Sequence, residues 1–370
     1  MKKTVLALAV AAALAASLAA QADTVLYGSA RVSVDYNDEK PGLLDKASGA
    51  SDPDGYWDVI NNDSLLGVMG SEELGGGLSA VYQYEFGVDV TEGGNFESDR
   101  TKFVGLKGGF GVLTLGTQES PYYHIAGITD IFNSGMTFTA PVWLGGSFNG
   151  FEIDVSENTS SGSGALTRYG NSVYYATPDF NGFSGEAMIV MNGAENSPAY
   201  SAGIDVWNIA IKYSNGPFFA GASYIQLDGD SNVPLSADLS VDLDLDQWIM
   251  GLGYATDNFS VNFIYEQGAL NQFGLISNTR IEGIRVGGDD ATNFYLTGSY
   301  TFGNNVISAA YGQLDPGATD EGRIDNYVFS YQHNLSKRTL VWAEYIGRNV
   351  DDNSFYGDQN AVSIGTKVDF

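Results

Sequence analysis

The chain contains many short segments in which apolar and polar residues strictly alternate. In residues 78–88 one parity is apolar or aromatic and the other is mostly small or polar: Leu78, Ala80, Tyr82, Tyr84, Phe86 and Val88 against Ser79, Val81, Gln83, Glu85 and Gly87. The same pattern recurs at 207–213, 259–266 and 293–302. Because successive side chains of a strand point to opposite faces, the pattern predicts β-strands with one apolar and one polar face.

Turn-forming residues divide the chain into sixteen predicted strands. Seven short reversals rich in Gly, Asn, Asp and Pro fall at 73–77, 108–111, 178–182, 215–217, 257–258, 303–305 and 335–337. Eight longer polar loops fall at 36–62, 89–98, 119–167, 194–201, 229–245, 270–289, 316–322 and 350–358. These fifteen connections separate sixteen strands and put both termini on the short-turn side.

The apolar strand faces need either a second sheet or lipid to cover them. No long apolar run follows residue 22, so no spanning helix is expected there. The composition, with 47 Gly, 22 Tyr and 20 Phe but only 9 Pro, is typical of many strands and turns with abundant rings. A soluble β-sandwich would carry more Lys and Glu on its polar face. We therefore predict an all-β fold, a transmembrane antiparallel 16-stranded β-barrel.

The two ends of the chain indicate export to a membrane. Residues 1–22 resemble a signal peptide, with a basic start at Lys2 and Lys3, an apolar stretch and small residues for cleavage. The barrel domain is then expected to span 23–370. The last segment alternates and finishes on Phe370, which looks like the C-terminal signal that barrel assembly machinery reads in outer-membrane proteins.

Charge and cysteine content exclude several classes of protein. Removing Lys2 and Lys3 leaves 15 of the 17 basic residues against 45 acidic ones, a formal charge of −30. This charge argues against a nucleic-acid binder and favours cations as companions. The chain has no Cys, two histidines (His124 and His333) and no glycine-flanked serine, so we expect no enzyme. An outer-membrane phospholipase is the enzyme alternative.

Four segments resemble the trimeric general porins of Gram-negative outer membranes. They are 26–28 (LYG), 70–78 (GSEELGGGL), 103–116 (FVGLKGGFGVLTLG) and 171–175 (NSVYY). The resemblance implies a homotrimer in the outer membrane that passes small hydrophilic solutes and ions by passive diffusion. It also implies a long third loop, here 119–167, folded into the lumen, for which an extracellular flap is the alternative. Lipopolysaccharide, outer-membrane lipid and the barrel assembly machinery are the further partners expected.

In such porins, acids on the third loop face wall arginines and narrow the channel. Arg168 matches one wall arginine, and parity allows Arg31, Arg100 and Lys102 to face the lumen. Each of these could instead pair with a strand acid. Among the loop acids Glu119, Asp130, Glu152, Asp154 and Glu157, we select Glu119 and Asp130 for the constriction.

The chain departs from the family pattern at two further wall positions. Leu65 and Thr117 stand where the family usually has arginine, and simple parity puts Thr117 on the outer face. The wall therefore has fewer cations than the family pattern. Together with the charge of −30, this predicts a cation-preferring channel. A sugar-specific channel is the alternative.

No cofactor is expected. Acidic loop residues could bind calcium loosely, although none follows an EF-hand spacing. They are Asp228, Asp230, Asp242, Asp244, Asp246, Asp289, Asp290, Asp315, Asp320 and Glu321. Solvated acids, or acids bridged to lipopolysaccharide by divalent ions, are the alternative.

Overall fold

The computed structural model consists almost entirely of antiparallel strands. It describes residues 23–40, 55–94, 96, 100–135, 167–191, 203–227, 233–236, 239–241, 245–268, 291–315, 323–350 and 357–370. The predicted signal peptide, residues 1–22, lies outside these ranges, and its cleavage stays a prediction. In the described part of the chain, no helix is long and apolar enough to cross a bilayer.

The strands, except two that form a separate two-stranded sheet, follow one another in chain order around one sheet. They are β1 Asp23–Glu39, β2 Tyr56–Asn61, β3 Leu65–Gly75, β4 Leu78–Gly87, β5 Lys102–Gly108, β6 Gly111–Glu119, β7 Arg168–Ala176, β8 Phe183–Val190, β9 Val206–Asn215, β10 Phe218–Leu227, β11 Val233–Ser236, β12 Leu239–Val241, β13 Leu245–Ala255, β14 Phe259–Gly268, β15 Ala291–Phe302, β16 Asn305–Asp315, β17 Ile324–Asn334, β18 Thr339–Val350 and β19 Gln359–Asp369. Strands β11 and β12 form the separate two-stranded sheet. One helix, α1 (Pro121–Ala126), and a 3-10 turn (Gly127–Thr129) follow β6.

The sheet closes on itself as a barrel of sixteen wall strands. Seventeen strands form the main sheet, and β2 and β3 are two halves of one wall strand, because both pair with β1. Closure comes from β1 pairing with β19, where Gly28 and Phe370 exchange backbone hydrogen bonds of 3.1 and 3.0 Å. A closed barrel leaves no strand edge unpaired, which is a requirement for a sheet in lipid.

The two faces of the wall confirm the predicted alternation. In β19, Ile364 and Val368 are exposed on the outside, whereas Ser363 and Lys367 are buried on the inside. In β4, Tyr84 is exposed and Gln83 is buried. The outer face is therefore apolar and aromatic, and polar side chains line much of the interior.

All seven predicted turns separate neighbouring strands, but some loop boundaries differ. Strand β1 extends to Glu39, and β2 occupies 56–61, so the first connection is shorter than the predicted 36–62. The stretch 229–245 contains a small hairpin of β11 and β12. Strands project beyond the apolar segments, because their backbone ladders continue where the side chains become polar.

Candidate functional site

A segment of the third loop lies inside the barrel. We call residues Ser120–Gly135 the lumen segment. Ser120 caps α1 by accepting a hydrogen bond from the Tyr123 N–H at 2.9 Å. Pro121 occupies the first turn, where a backbone N–H would have no partner within the helix, so the missing N–H of proline costs nothing. The helix packs against β8, β9, β10 and β13. Residues 120–135 therefore lie against the inner wall. Residues 136–166 lie outside the described residues, so the inward fold of the whole loop 119–167 stays a prediction.

Tyr122 holds α1 to the wall by polar contacts. Its N–H donates to Asn208 Oδ1 of β9 at 2.8 Å, and its hydroxyl donates to Glu266 of β14. Gln247 of β13 donates to the same hydroxyl at 2.9 Å. Burial raises the pKa of the Tyr122 hydroxyl, and the Glu266 carboxylate raises it further, so the phenol stays a donor.

Ile125 packs into a socket formed by two glycines. Gly221 and Gly251 lie opposite each other on β10 and β13. A Cβ on Gly221 would lie 2.5 Å from Ile125 Cδ1, and one on Gly251 would lie 2.9 Å from its Cγ2. Around this socket the inner wall is apolar rather than polar, with Met188, Ile225, Ile249 and Ile264 fully buried. The wall is therefore shaped to bind the lumen segment.

The other end of the lumen segment is bound by a buried carboxylate. Glu344 of β18 accepts hydrogen bonds from the N–H groups of Asn133 (2.9 Å) and Ser134 (2.8 Å). The side chains of Asn133 (3.2 Å) and Ser330 (2.9 Å) also donate to it. One residue further, Gly135 N–H donates to Asn62 Oδ1 at 2.6 Å. The segment thus runs along the inner wall from β6 to the second wall strand.

Charged side chains form a continuous chain between β7 and β9. Arg168 lies 3.5 Å from Glu119, Glu119 lies 3.7 Å from His124, and His124 lies 2.8 Å from Glu186. Lys212 then pairs with the other oxygen of Glu186. Positive and negative side chains alternate along this row, and their ion pairs and charge-assisted hydrogen bonds hold α1 to its neighbouring strands.

His124 is positively charged at neutral pH in this setting. Burial lowers the pKa of its imidazole, but the carboxylates of Glu186 and Glu119 outweigh that effect and raise the pKa to about 9. The ring also makes an edge-on contact with Tyr174 at 6.1 Å between centroids. The lumen therefore carries one more cation than its Lys and Arg residues suggest.

The structure brings four of the six predicted constriction residues close to the lumen segment or its neighbours. Arg168 and Glu119 pair directly, and Arg100 lies 3.5 Å from Glu85, which also accepts from Tyr27 at 2.7 Å. Asp130 ends the 3-10 turn with an exposed side chain. Whether these residues form the constriction stays a prediction.

The fifth residue, Arg31, lies on the inner face of β1 opposite Lys367. Its Nε is buried and has no hydrogen-bond partner among the described residues. Lys102, the sixth, corrects the parity expectation. It pairs with Tyr84, whose ring is exposed on the outer face, and its Nζ lies 5.0 Å from the centroid of Phe86. Register therefore places the Lys102 side chain outside.

Several residues of this site carry no local sequence signal for their role. Glu186, Lys212, Glu344 and Asn62 read as ordinary polar positions of alternating strands. The glycine pair is different, because a glycine on the inner face of each of two consecutive strands could have indicated a close approach. Which segment approaches them depends on the fold.

The described residues contain no group of three or more His, Cys, Asp or Glu side chains placed to hold a metal ion. Most of the acids considered for calcium lie outside the described ranges. Of that set only Asp246 and Asp315 are described, so loose calcium binding stays a prediction.

A sealed barrel with an apolar outer face, a polar interior and a chain segment across that interior defines a channel of the outer-membrane type. The family described as Gram-negative porin matches residues 7–353, and the chain belongs to this family. Outer membrane porin protein 32 of Delftia acidovorans is 30% identical over 373 residues, covering 97% of this chain and 93% of that protein.

Two further similarities agree with this assignment. Major outer membrane protein P.IB of Neisseria gonorrhoeae is 28% identical over 376 residues, covering 95% of this chain and 96% of that protein. The structure of the anion-selective porin from Comamonas acidovorans superposes with a TM-score of 0.71 at 22% identity, covering 95% of this chain and all of the other. The chain is an outer-membrane porin, and these relatives are channels, not enzymes.

Proposed function

We propose that this porin forms a water-filled channel for passive diffusion of small hydrophilic solutes and ions, and that the channel prefers cations. The observation that carries the ion preference is a pair of buried carboxylates on the inner face, Glu344 and Asp35, which form no ion pair among the described residues. The other described charges inside the barrel largely cancel. Arg100 is matched by Glu85, and the cations Arg168, His124 and Lys212 are interleaved with Glu119 and Glu186.

Among the described residues, the two inner-face carboxylates Glu344 and Asp35 have only neutral groups as hydrogen-bonding neighbours. The donors to Glu344 are backbone N–H groups, an amide and a hydroxyl. Asp35, 2% exposed, has no hydrogen-bond partner for either oxygen among the described residues, and the Ser33 and Ser363 hydroxyls lie beside it. Glu344 and Asp35 lower the electrostatic potential of a narrow lumen, which favours cations. Arg31 on the inner face of β1, whose Nε has no hydrogen-bond partner among the described residues, offsets part of this effect.

The anion-selective porin from Comamonas acidovorans has the same fold, so the fold itself does not set the sign of ion selectivity. The sign follows from the charged side chains that line the lumen. In this chain 45 acidic residues stand against 17 basic ones, which supports the cation preference.

The family resemblance supports a homotrimer in contact with outer-membrane lipid and lipopolysaccharide, inserted by the barrel assembly machinery. A sugar-specific channel has less support. The rings of Tyr84, Trp248 and Tyr254 are exposed on the outer face, where they suit the membrane interface rather than a solute path.

Planar-bilayer recordings of the purified protein test this proposal. In a potassium chloride gradient we expect step-like conductance and a reversal potential of the sign given by potassium permeation. Swelling of liposomes in isotonic sugars tests passive uptake, and neutral sugars should enter at rates that fall with size. A reversal potential favouring chloride would contradict the cation preference, and impermeable liposomes would contradict the channel itself.

A further inference from the structure

The second wall strand is interrupted where it faces the end of the lumen segment. Val32 of β1 pairs with Asn61 of β2, and Ser29 pairs with Leu65 of β3. Between these two pairs, β1 has two residues, whereas the second wall strand has three, residues 62–64. The extra residue is a β-bulge, a feature that re-aims side chains.

The bulge is held in a conformation that an ordinary strand avoids. Asp63 has φ 57°, in the left-handed region, which costs a non-glycine residue about 1 kcal/mol or more. Asn62 N–H donates to Arg31 O at 2.9 Å, and Arg31 N–H donates to Ser64 Oγ at 2.9 Å. The chain therefore stays bonded to β1 on both sides of the strained residue, through the backbone of Asn62 and the side-chain hydroxyl of Ser64.

The bulge presents the Asn62 side chain to the interior in a fixed orientation. Asn62 is 1% exposed, and its Nδ2 donates to Ser33 Oγ at 2.8 Å and to Ile60 O at 3.2 Å. These bonds leave Oδ1 directed at Gly135 N–H, 2.6 Å away. A Cβ at position 135 would lie only 3.3 Å from Oδ1, so glycine permits this close approach.

We propose that the bulge is a positioning device and that Asn62 holds the end of the lumen segment, thereby helping to set the open width of the channel. This inference rests on the proposed passive channel. Glu344 of β18 binds Asn133 and Ser134. Asn62 of the second wall strand, which is separated from β18 by β19 and β1, binds the next residue, Gly135. Without Asn62, Gly135 loses its hydrogen bond to the second wall strand.

Conductance of Asn62 variants tests this role. Asn62→Ala should raise the mean single-channel conductance and the open-channel noise, and should admit larger sugars into liposomes. Asn62→Asp keeps an acceptor for the Gly135 N–H but loses the Nδ2 donor to Ile60 O, so it should bring the conductance part of the way back to the wild-type level. The matched control is Asn37→Ala, because Asn37 is also a buried asparagine on the inner face, and its side-chain bonds among the described residues are to Tyr56 and Gln359 of the wall.

A second variant tests the same contact from the lumen segment. Gly135→Pro removes the donated N–H and also brings its ring against Asn62 Oδ1, so it should disturb the channel at least as much as Asn62→Ala. The double variant relieves that clash and should go no further than Asn62→Ala. Wild-type conductance and noise in both Asn62→Ala and Gly135→Pro would overturn the inference. Absence of channels in the wild-type protein would instead refute the proposed function.

Discussion

The imidazole Nδ1 of His124 in α1 lies 2.8 Å from Oε2 of Glu186 in β8, while Glu119 approaches the other ring nitrogen at 3.7 Å. This arrangement places a titratable cation between two acids that come from different wall strands. The charge of the lumen near α1 therefore depends on pH, whereas Tyr122 and Ile125 hold the helix by contacts that do not involve His124.

Because the pKa of His124 in the folded protein is about 9, above its ordinary value of 6.5, its ion pairs stabilise the fold fully only below about pH 6.5, as long as Glu119 and Glu186 remain ionised. Their contribution is lost as pH rises through about 9. We expect cation preference to increase over the same range, because the acids lose a counter-charge. Reversal potentials recorded across this range measure the change. His124→Gln should be more cation-preferring at neutral pH and should lack the step near 9.

Loss of the wall arginine should raise cation preference. Arg168→Ala leaves Glu119 paired only with His124, so the negative potential near α1 increases. The shift in reversal potential is the measurement. Lys102→Ala removes the same charge from the outer face and should leave selectivity unchanged. Equal effects of the two variants would remove Arg168 from the constriction.

Glu344 should be needed to hold the lumen segment and to maintain cation preference. Glu344→Ala leaves the N–H groups of Asn133 and Ser134 without their acceptor, at about 1–3 kcal/mol for each buried group that stays unsatisfied. We expect noisier channels of higher conductance and weaker cation preference. Glu344→Gln keeps one carbonyl acceptor but no charge, so it should lose cation preference while its channels stay quieter than those of Glu344→Ala. Quiet wild-type recordings from the alanine variant would contradict this anchor.

The fit between Ile125 and the glycine socket predicts that a second substitution can restore stability lost by the first. Gly221→Ala places a methyl group against Ile125 Cδ1, and overpacking of this kind costs about 1–3 kcal/mol. Thermal unfolding in detergent should show the loss of stability as a lower midpoint temperature. Ile125→Val removes Cδ1, so the double variant should recover part of it. Gly298→Ala is the control, since a Cβ there would make only ordinary contacts at 3.7 Å and beyond.

The sequence by itself determined the barrel wall. Alternation with period two and turn chemistry are local properties, so they predicted the faces of β4, β14 and β19, all seven short turns and the number of wall strands. The family motif and the loop position also singled out Arg168 and Glu119, which the structure places 3.5 Å apart, and their role in the constriction stays a prediction. These features depend on neighbours in sequence or on a recognisable pattern.

The tertiary structure alone decided which inner positions meet the third loop. Glu186, Lys212, Glu344 and Asn62 lie on four separate wall strands and come together only because the lumen segment passes along them. Lys102 was misplaced for a related reason, because its face depends on register with β4. Pairing and register between distant strands are set by barrel closure, which no local pattern of residues encodes.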